Sequence, residues 1–225
     1  MKISVIVPCY NDGKYINHVI DQLRKSKFVG EIIVVDDDSG QETKNLLQKI
    51  KGINLITNTR NIGKSKTLKK GVLASKFDYV AFIDSDLTGF TSRHFESLVK
   101  PVLENVCDIT TSVRGKEAWY GILSGFSIAY TGERAMKREL MTKNIDLFNN
   151  HGYIIEAEFN RRFLGKTRMK GILWSEVGQH GQPEKNGLRG WLVNGRQVTS
   201  YLKYLGPFEM LRQLVLVKLP SYVLN

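Results

Sequence analysis

The chain has 225 residues, of which 42% are hydrophobic, 24% charged and 10% aromatic. That apolar fraction excludes a disordered chain. The longest uncharged stretch, 118–132, is too short and too interrupted by glycine to cross a membrane. The net charge is +11 and unevenly spread: 16 basic and 13 acidic residues in 1–112, against 17 and 9 in 113–225. The second half is therefore expected to face phosphates, nucleic acid or an anionic membrane surface.

The chain opens directly on a strand-like run, so no signal peptide is expected and a cytoplasmic location is inferred. Two cysteines, Cys9 and Cys107, are too few for a disulfide framework and read as small buried thiols. From the N-terminus, residues 2–8 form a β-branched run. Residues 14–27 place Tyr15, Ile16, Val19, Ile20 and Leu23 at helical spacing. Strands are then predicted over 31–36, 53–57, 78–84 and 109–113, with helices over 41–50, 64–76 and 91–104 between them. Continuous apolar strands alternating with amphipathic helices predict a parallel sheet covered on both faces, with all strand C-termini on one edge.

Beyond residue 113 the alternation loosens. A strand is predicted over 126–130, a short helix over 133–141, a helix over 153–164 and a strand over 167–177. A polar, glycine-rich loop over 179–190 precedes two helices, 191–204 and 208–219. This gives one α/β domain in three parts: a nucleotide-binding half to residue 113, an acceptor-binding half over 114–205, and a C-terminal amphipathic helix from 206 to 225.

In an open parallel sheet, ligands bind beyond the strand C-termini, and three of those ends here carry acid. The first continues as Pro8-Cys9-Tyr10-Asn11-Asp12, the second as Asp36-Asp37-Asp38-Ser39, the fourth as Asp84-Ser85-Asp86. Clustered carboxylates repel unless a cation or hydrogen-bond donors lie among them. Two carboxylates one residue apart suit Mg²⁺ or Mn²⁺, which also bridge diphosphate oxygens. Asp36 and Asp37 read instead as acceptors for a nucleobase N–H or ribose hydroxyls, with Pro8 and Tyr10 as walls, while Asp38 and Ser39 read as helix caps. Gly63 and Lys64 open a basic helix N-terminus that favours anions. No phosphate-loop motif is complete there, and no dinucleotide fingerprint follows the first strand.

The order and spacing of Val5-Ile-Val-Pro-Cys-Tyr-Asn11, Glu31-Ile-Ile-Val-Val-Asp-Asp37, Asn61-Ile-Gly63 and Asp84-Ser-Asp86 resemble glycosyltransferase family 2 on the GT-A fold, a Rossmann-like sheet flanked by helices. The resemblance is strong over about the first 115 residues. It implies a nucleotide-sugar donor, UDP- or GDP-hexose, held by Asp36, Asp37, Asp84 and Asp86; Pro8, Tyr10, Asp12, Gly63, Lys64 and Ser85 are the further candidates for the same donor site. It implies a divalent metal on Asp84 and Asp86. Asp38 departs from the family, which usually has glycine or asparagine there. Residues 124–127, 131–135 and 152–158 resemble the acceptor side of the polyprenyl-phosphate or dolichyl-phosphate hexose synthases. In many inverting members an acid at that place is the general base; Glu156 fits by offset, with Glu158 in reserve. The polar loop's His180 and Lys185 are expected over the diphosphate or acceptor phosphate. Glucosyl-3-phosphoglycerate synthases, a retaining type, use a histidine as a further metal ligand, which His180 could supply.

The implied reaction moves a hexose to a polyprenyl phosphate or other anionic acceptor, with peripheral membrane contact. The alternatives are a saccharide hydroxyl or a small phosphorylated acceptor. A nucleotidyltransferase would want a glycine-rich loop after strand 1. A nucleic-acid module would tolerate loss of the acids; nucleic acid is not expected as a partner.

Overall fold

Strand and helix alternate because apolar runs alternate with amphipathic ones. The computed structural model describes the backbone of residues 1–114, 130–149, 154–179, 188–217 and 223–224. The first half runs β1 Ile3–Cys9, α1 Gly13–Arg24, β2 Val29–Asp36, α2 Gln41–Lys49, β3 Asn54–Thr57, α3 Lys64–Ala74, β4 Tyr79–Phe82, β5 Leu87–Thr88, α4 Ser92–Leu103 and β6 Ile109–Arg114. The second half runs β7 Arg134–Lys137, α5 Arg138–Lys143, a 3-10 turn Ile145–Asn149, α6 Ile154–Phe163, β8 Met169–Trp174, β9 Gly178–Gln179, α7 Leu188–Leu216 and β10 Val223–Leu224.

The main sheet has the order β10-β8-β6-β7-β4-β1-β2-β3. β1 lies parallel to both β2 and β4, so the three acid-bearing strand ends open on one edge, as expected. Each strand divides its side chains between two cores. Val5 and Val7 face the core shared with α1 and α4, while Ile6 faces the core shared with α3 and α6. In α1 the expected apolar positions Ile16, Val19, Ile20 and Leu23 are fully buried. Each such side chain contributes about 1.5–3 kcal/mol, enough to fix the register of the adjoining loops.

The second half departs from expectation in three places. Residues 134–137, expected in a helix over 133–141, form β7, antiparallel to both β4 and β6; the helix begins only at Arg138. The physical reason is burial on both faces. Ala135 enters one core and Met136 the other, the period-two pattern of a strand. The strand expected over 167–177 is shorter, Met169–Trp174. The two C-terminal helices are present as expected, as the two arms of α7 on either side of Gly206, whose φ of 74° and following Pro207 break the helical path. But α7 ends at Leu216, and Val223–Leu224 add an edge strand within what was expected to be the amphipathic helix from 206 to 225. The strand expected at 126–130 lies, apart from Tyr130, outside the described residues. Both cysteines are buried and unpaired; burial pushes the Cys9 thiol up to about 12 and the Cys107 thiol to about 11.

Candidate active site

The loop after β2 folds on its own acids. The Asp36 carboxylate accepts from the Ser39 N–H (3.1 Å), and its second oxygen, Oδ2, is buried without a partner. Asp37 is almost fully engaged by the next loop. Its Oδ1 accepts from Asn58 Nδ2 (2.8 Å) and the Ile62 N–H (2.9 Å), and its Oδ2 from the Gly63 N–H (2.8 Å). Gly63 takes a φ of 85° there, a conformation open to glycine at no steric cost, and so caps α3. Asp38 has a φ of 63° and accepts from Lys44 Nζ (2.6 Å). The positive φ accounts for the resemblance's glycine or asparagine at this position. The loops after β1 and β2 are cross-tied by Asn11: its N–H donates to Ser39 Oγ (2.9 Å) and its Oδ1 accepts from the Gly40 N–H (2.8 Å). Tyr10, beside them, is 51% exposed.

The end of β4 is arranged differently. Asp84, Ser85 and Asp86 are buried, and Ser85 Oγ donates to Asp12 Oδ2 (2.8 Å), joining the first strand end to the fourth. Lys64, the first residue of α3, reaches across to this group. Its Nζ lies 2.9 Å from Asp84 Oδ1 and 3.0 Å from Glu156 Oε1. Burial alone would depress the ammonium, but Asp84, Glu156 and Glu133 outweigh it and hold Lys64 well above the usual lysine range. Gly132 covers the pair: a Cβ there would come within 2.6 Å of Lys64 Nζ and 2.8 Å of Asp84 Oδ2.

The two glutamates of α6 part company, as residues two apart on a helix must. Glu156 faces Lys64 and Asp84, with its Oε2 buried and without a partner. Glu158 is held by Arg161 (2.6 Å), Arg162 (3.0 Å) and the Tyr204 hydroxyl (2.8 Å). Those bonds outweigh its burial and lower its pKa from the ordinary glutamate value. Arg134 was not anticipated. It is buried in β7, donates to Asn160 Oδ1 and to the Thr131 carbonyl (3.2 Å each), and stacks on Phe159. It thereby ties α6 to the segment that covers Lys64. Its place in a helical reading of 133–141 gave no signal of this.

Asp84 and Asp86 are a fitting donor set for a hard divalent cation, and Glu156, bridged to Asp84 through Lys64, adds a further carboxylate with a partnerless buried Oε2. Among the described residues no group of three or more His, Cys, Asp or Glu could hold a metal ion. Two protein carboxylates would leave the remaining positions to water and phosphate oxygens, the usual arrangement for Mg²⁺. His180 and Lys185 lie outside the described residues. Gln179, which precedes His180, pairs through β9 with Leu87, which follows Asp86.

The glycosyl transferase family 2 model matches residues 4–168, nearly three quarters of the chain. The chain belongs to glycosyl transferase family 2. The family's GT-A fold is evident in solved relatives. Glucosyl-3-phosphoglycerate synthase from Mycobacterium tuberculosis, solved with Mn²⁺, UDP-glucose and phosphoglyceric acid, superposes with a TM-score of 0.69 at 23% identity, covering 90% of this chain and 79% of its own. Mannosyl-3-phosphoglycerate synthase from Rubrobacter xylanophilus gives 0.70 at 19% identity, over 92% and 75%. Among similar sequences, the poly(ribitol-phosphate) beta-N-acetylglucosaminyltransferase of Staphylococcus aureus is 36% identical over 95 residues, 38% of this chain. The poly-beta-1,6-N-acetyl-D-glucosamine synthase of the same species is 31% identical over 88 residues, 37% of this chain. The chain spans only 16% and 21% of the length of these two. Family membership displaces the nucleotidyltransferase and nucleic-acid-binding alternatives.

Proposed function

We propose that this family 2 protein transfers a hexose from a nucleoside-diphosphate sugar to an anionic acceptor, with Mg²⁺ or Mn²⁺ bound by Asp84 and Asp86. The observation that carries this reading is the convergence of Asp12, Asp84, Asp86, Lys64 and Glu156 at one sheet edge. The bound metal would supply electrostatic stabilisation of the departing diphosphate. Lys64, at a helix N-terminus, adds a cation to the same phosphates. Glu156 takes the acceptor's proton where the acceptor is a hydroxyl; an acceptor that is already a phosphate anion needs no base. Glu158, engaged by three partners, serves the scaffold in this reading. Asp36 and the exposed Tyr10 are assigned to the nucleoside, while Asp37 acts through the Asn58–Gly63 loop. His180 is assigned to the metal or the phosphates on the family resemblance alone.

An anionic acceptor is supported by the excess of nine basic over two acidic residues in 161–203. The structural neighbour's phosphoglyceric acid is of the same chemical class. A lipid phosphate is favoured by α7. Its Met210 and Gln213, with Val217 just past its end, pack inward, while Phe208 (88% exposed), Leu211 and Val215 form an outward apolar stripe beside Arg212. No helix among the described residues is long and apolar enough to cross a membrane. Such a stripe suits weak, salt-sensitive contact with an anionic bilayer.

The test is binding of UDP and GDP to the protein and to Asp86→Asn, each with Mn²⁺ and with EDTA. Asp86→Asn should weaken binding at least about 10-fold in Mn²⁺ and leave it unchanged in EDTA. Equal losses in both would remove the metal role. Turnover with polyprenyl phosphate and with phosphoglycerate then separates the acceptors.

A further inference from the structure

Lys64 occupies a place that the proposed metal also needs. Its ammonium lies 2.9 Å from Asp84 Oδ1, 3.2 Å from Asp84 Oδ2 and 3.0 Å from Glu156 Oε1. The surroundings are nearly closed: the side chains of Lys64, Asp84 and Glu156 are 22%, 11% and 6% exposed, and Gly132 lies directly over them. A divalent ion coordinates carboxylate oxygen at about 2.0–2.1 Å for Mg²⁺. An ammonium hydrogen-bonded to both oxygens of Asp84 competes for the same lone pairs and repels a second cation in a poorly screened site. The lysine can leave. Its charge sits on a flexible four-carbon stem, rooted at the start of α3, where the helix end favours an anion such as a diphosphate.

We propose that Lys64 is an internal counter-cation that holds Asp84 to Glu156 in the nucleotide-free protein and passes to the donor diphosphate as the divalent cation takes Asp84, so that metal and nucleotide bind as a pair. This rests on the metal reading above. No bond is made or broken; one ion pair exchanges for another. Coupling of this kind is reciprocal: UDP must tighten Mn²⁺ by the same factor that Mn²⁺ tightens UDP. Glu156, released from Lys64, becomes available to the acceptor only once the donor is in place.

The experiment is Mn²⁺ titration followed by electron paramagnetic resonance of the free ion, with and without UDP, on the wild-type chain, Lys64→Met, Lys64→Gln, Lys66→Met and Asp84→Asn. Circular dichroism establishes which variants are folded, and Lys64→Gln stands in if Lys64→Met is not. Without UDP, the Lys64 variants should bind Mn²⁺ more tightly than wild type, within the about 5–150-fold range of ordinary coupling. The tightening produced by UDP should shrink toward unity in them. Lys66→Met, which removes a nearby charge from the same helix, should leave that factor at its wild-type value. Unchanged or weaker nucleotide-free Mn²⁺ affinity in the Lys64 variants, with wild-type coupling intact, overturns the exchange and leaves the metal site standing. Failure of the wild type to bind Mn²⁺ even with UDP, or full binding by Asp84→Asn, overturns the metal reading and the exchange together.

Discussion

Strands β2 and β4 both end in acid at the same sheet edge, and the chain treats the two ends in opposite ways. After β2, Asp37 is bonded by two main-chain N–H groups and an asparagine, and Asp36 by a third N–H. After β4, both oxygens of Asp84 are paired with the ammonium of Lys64. A main-chain amide cannot leave without unfolding its loop, whereas a lysine head group can move by rotating its own flexible stem. The same residue type therefore builds the site at one end and is held for exchange at the other. What decides is the donor opposite the carboxylate.

The sharpest attack on that contrast is at the acids meant for chemistry. Glu156→Gln should lower kcat by about 10²–10⁴, the scale of general-base catalysis, with UDP affinity in Mn²⁺ nearly unchanged. Retention of full kcat would assign the acceptor to the class that is already anionic. Next comes stability. Asp37→Ala leaves three donors without their acceptor and should cost about 3 kcal/mol in urea unfolding. Asp84→Asn keeps the shape of the site and leaves Lys64 its bond to Glu156, so it should cost less than Asp37→Ala. Equal costs for the two would erase the distinction between a building end and an exchanging end.

Glu158 extends the contrast to pH. Bonds from Arg161, Tyr204 and Arg162 overcome burial and depress its pKa in the folded chain. A depressed carboxyl contributes stability above its unfolded pKa, near the ordinary 4.5, and loses it as pH falls through the folded value. Glu158→Gln should therefore lower the urea midpoint at pH 7, with the difference from wild type closing in acid below that ordinary value. A difference that stays constant from pH 7 into acid would mean that the charge of Glu158 is not what holds α6 to α7.

The first half was legible because its signals are local. Continuous apolar strands and helical spacing need only a window of residues, and four motifs in fixed order carried the family. The acid ends were legible as a cluster. Their division of labour was not, because it depends on partners at 58–64 that arrive from another loop. Arg134 shows the same limit. As a charged residue following Gly132 it reads as the start of a surface helix, yet pairing with β4 and β6 buries it. Glu156 was preferred to Glu158 by offset alone, and their different partners emerged only once α6 was placed against α3.

The smallest expected effect is at Asp38, and it tests whether backbone or charge sets that position. The residue sits at φ 63° with its carboxylate on Lys44, a partly exposed pair between the loop after β2 and the first turn of α2. Exposed pairs contribute little, so the backbone should dominate. Asparagine tolerates the left-handed region as well as aspartate does. Glycine removes the steric cost but loosens the unfolded chain, and the two effects oppose each other. Asp38→Asn and Asp38→Gly should therefore leave the urea midpoint and UDP affinity close to wild type. Asp38→Val, β-branched and unable to take that conformation without strain, should lose about 1–2 kcal/mol. If asparagine costs as much as valine, the ion pair to Lys44 is what shapes the turn, and Asp38 then joins Asp37 among the acids that build the site.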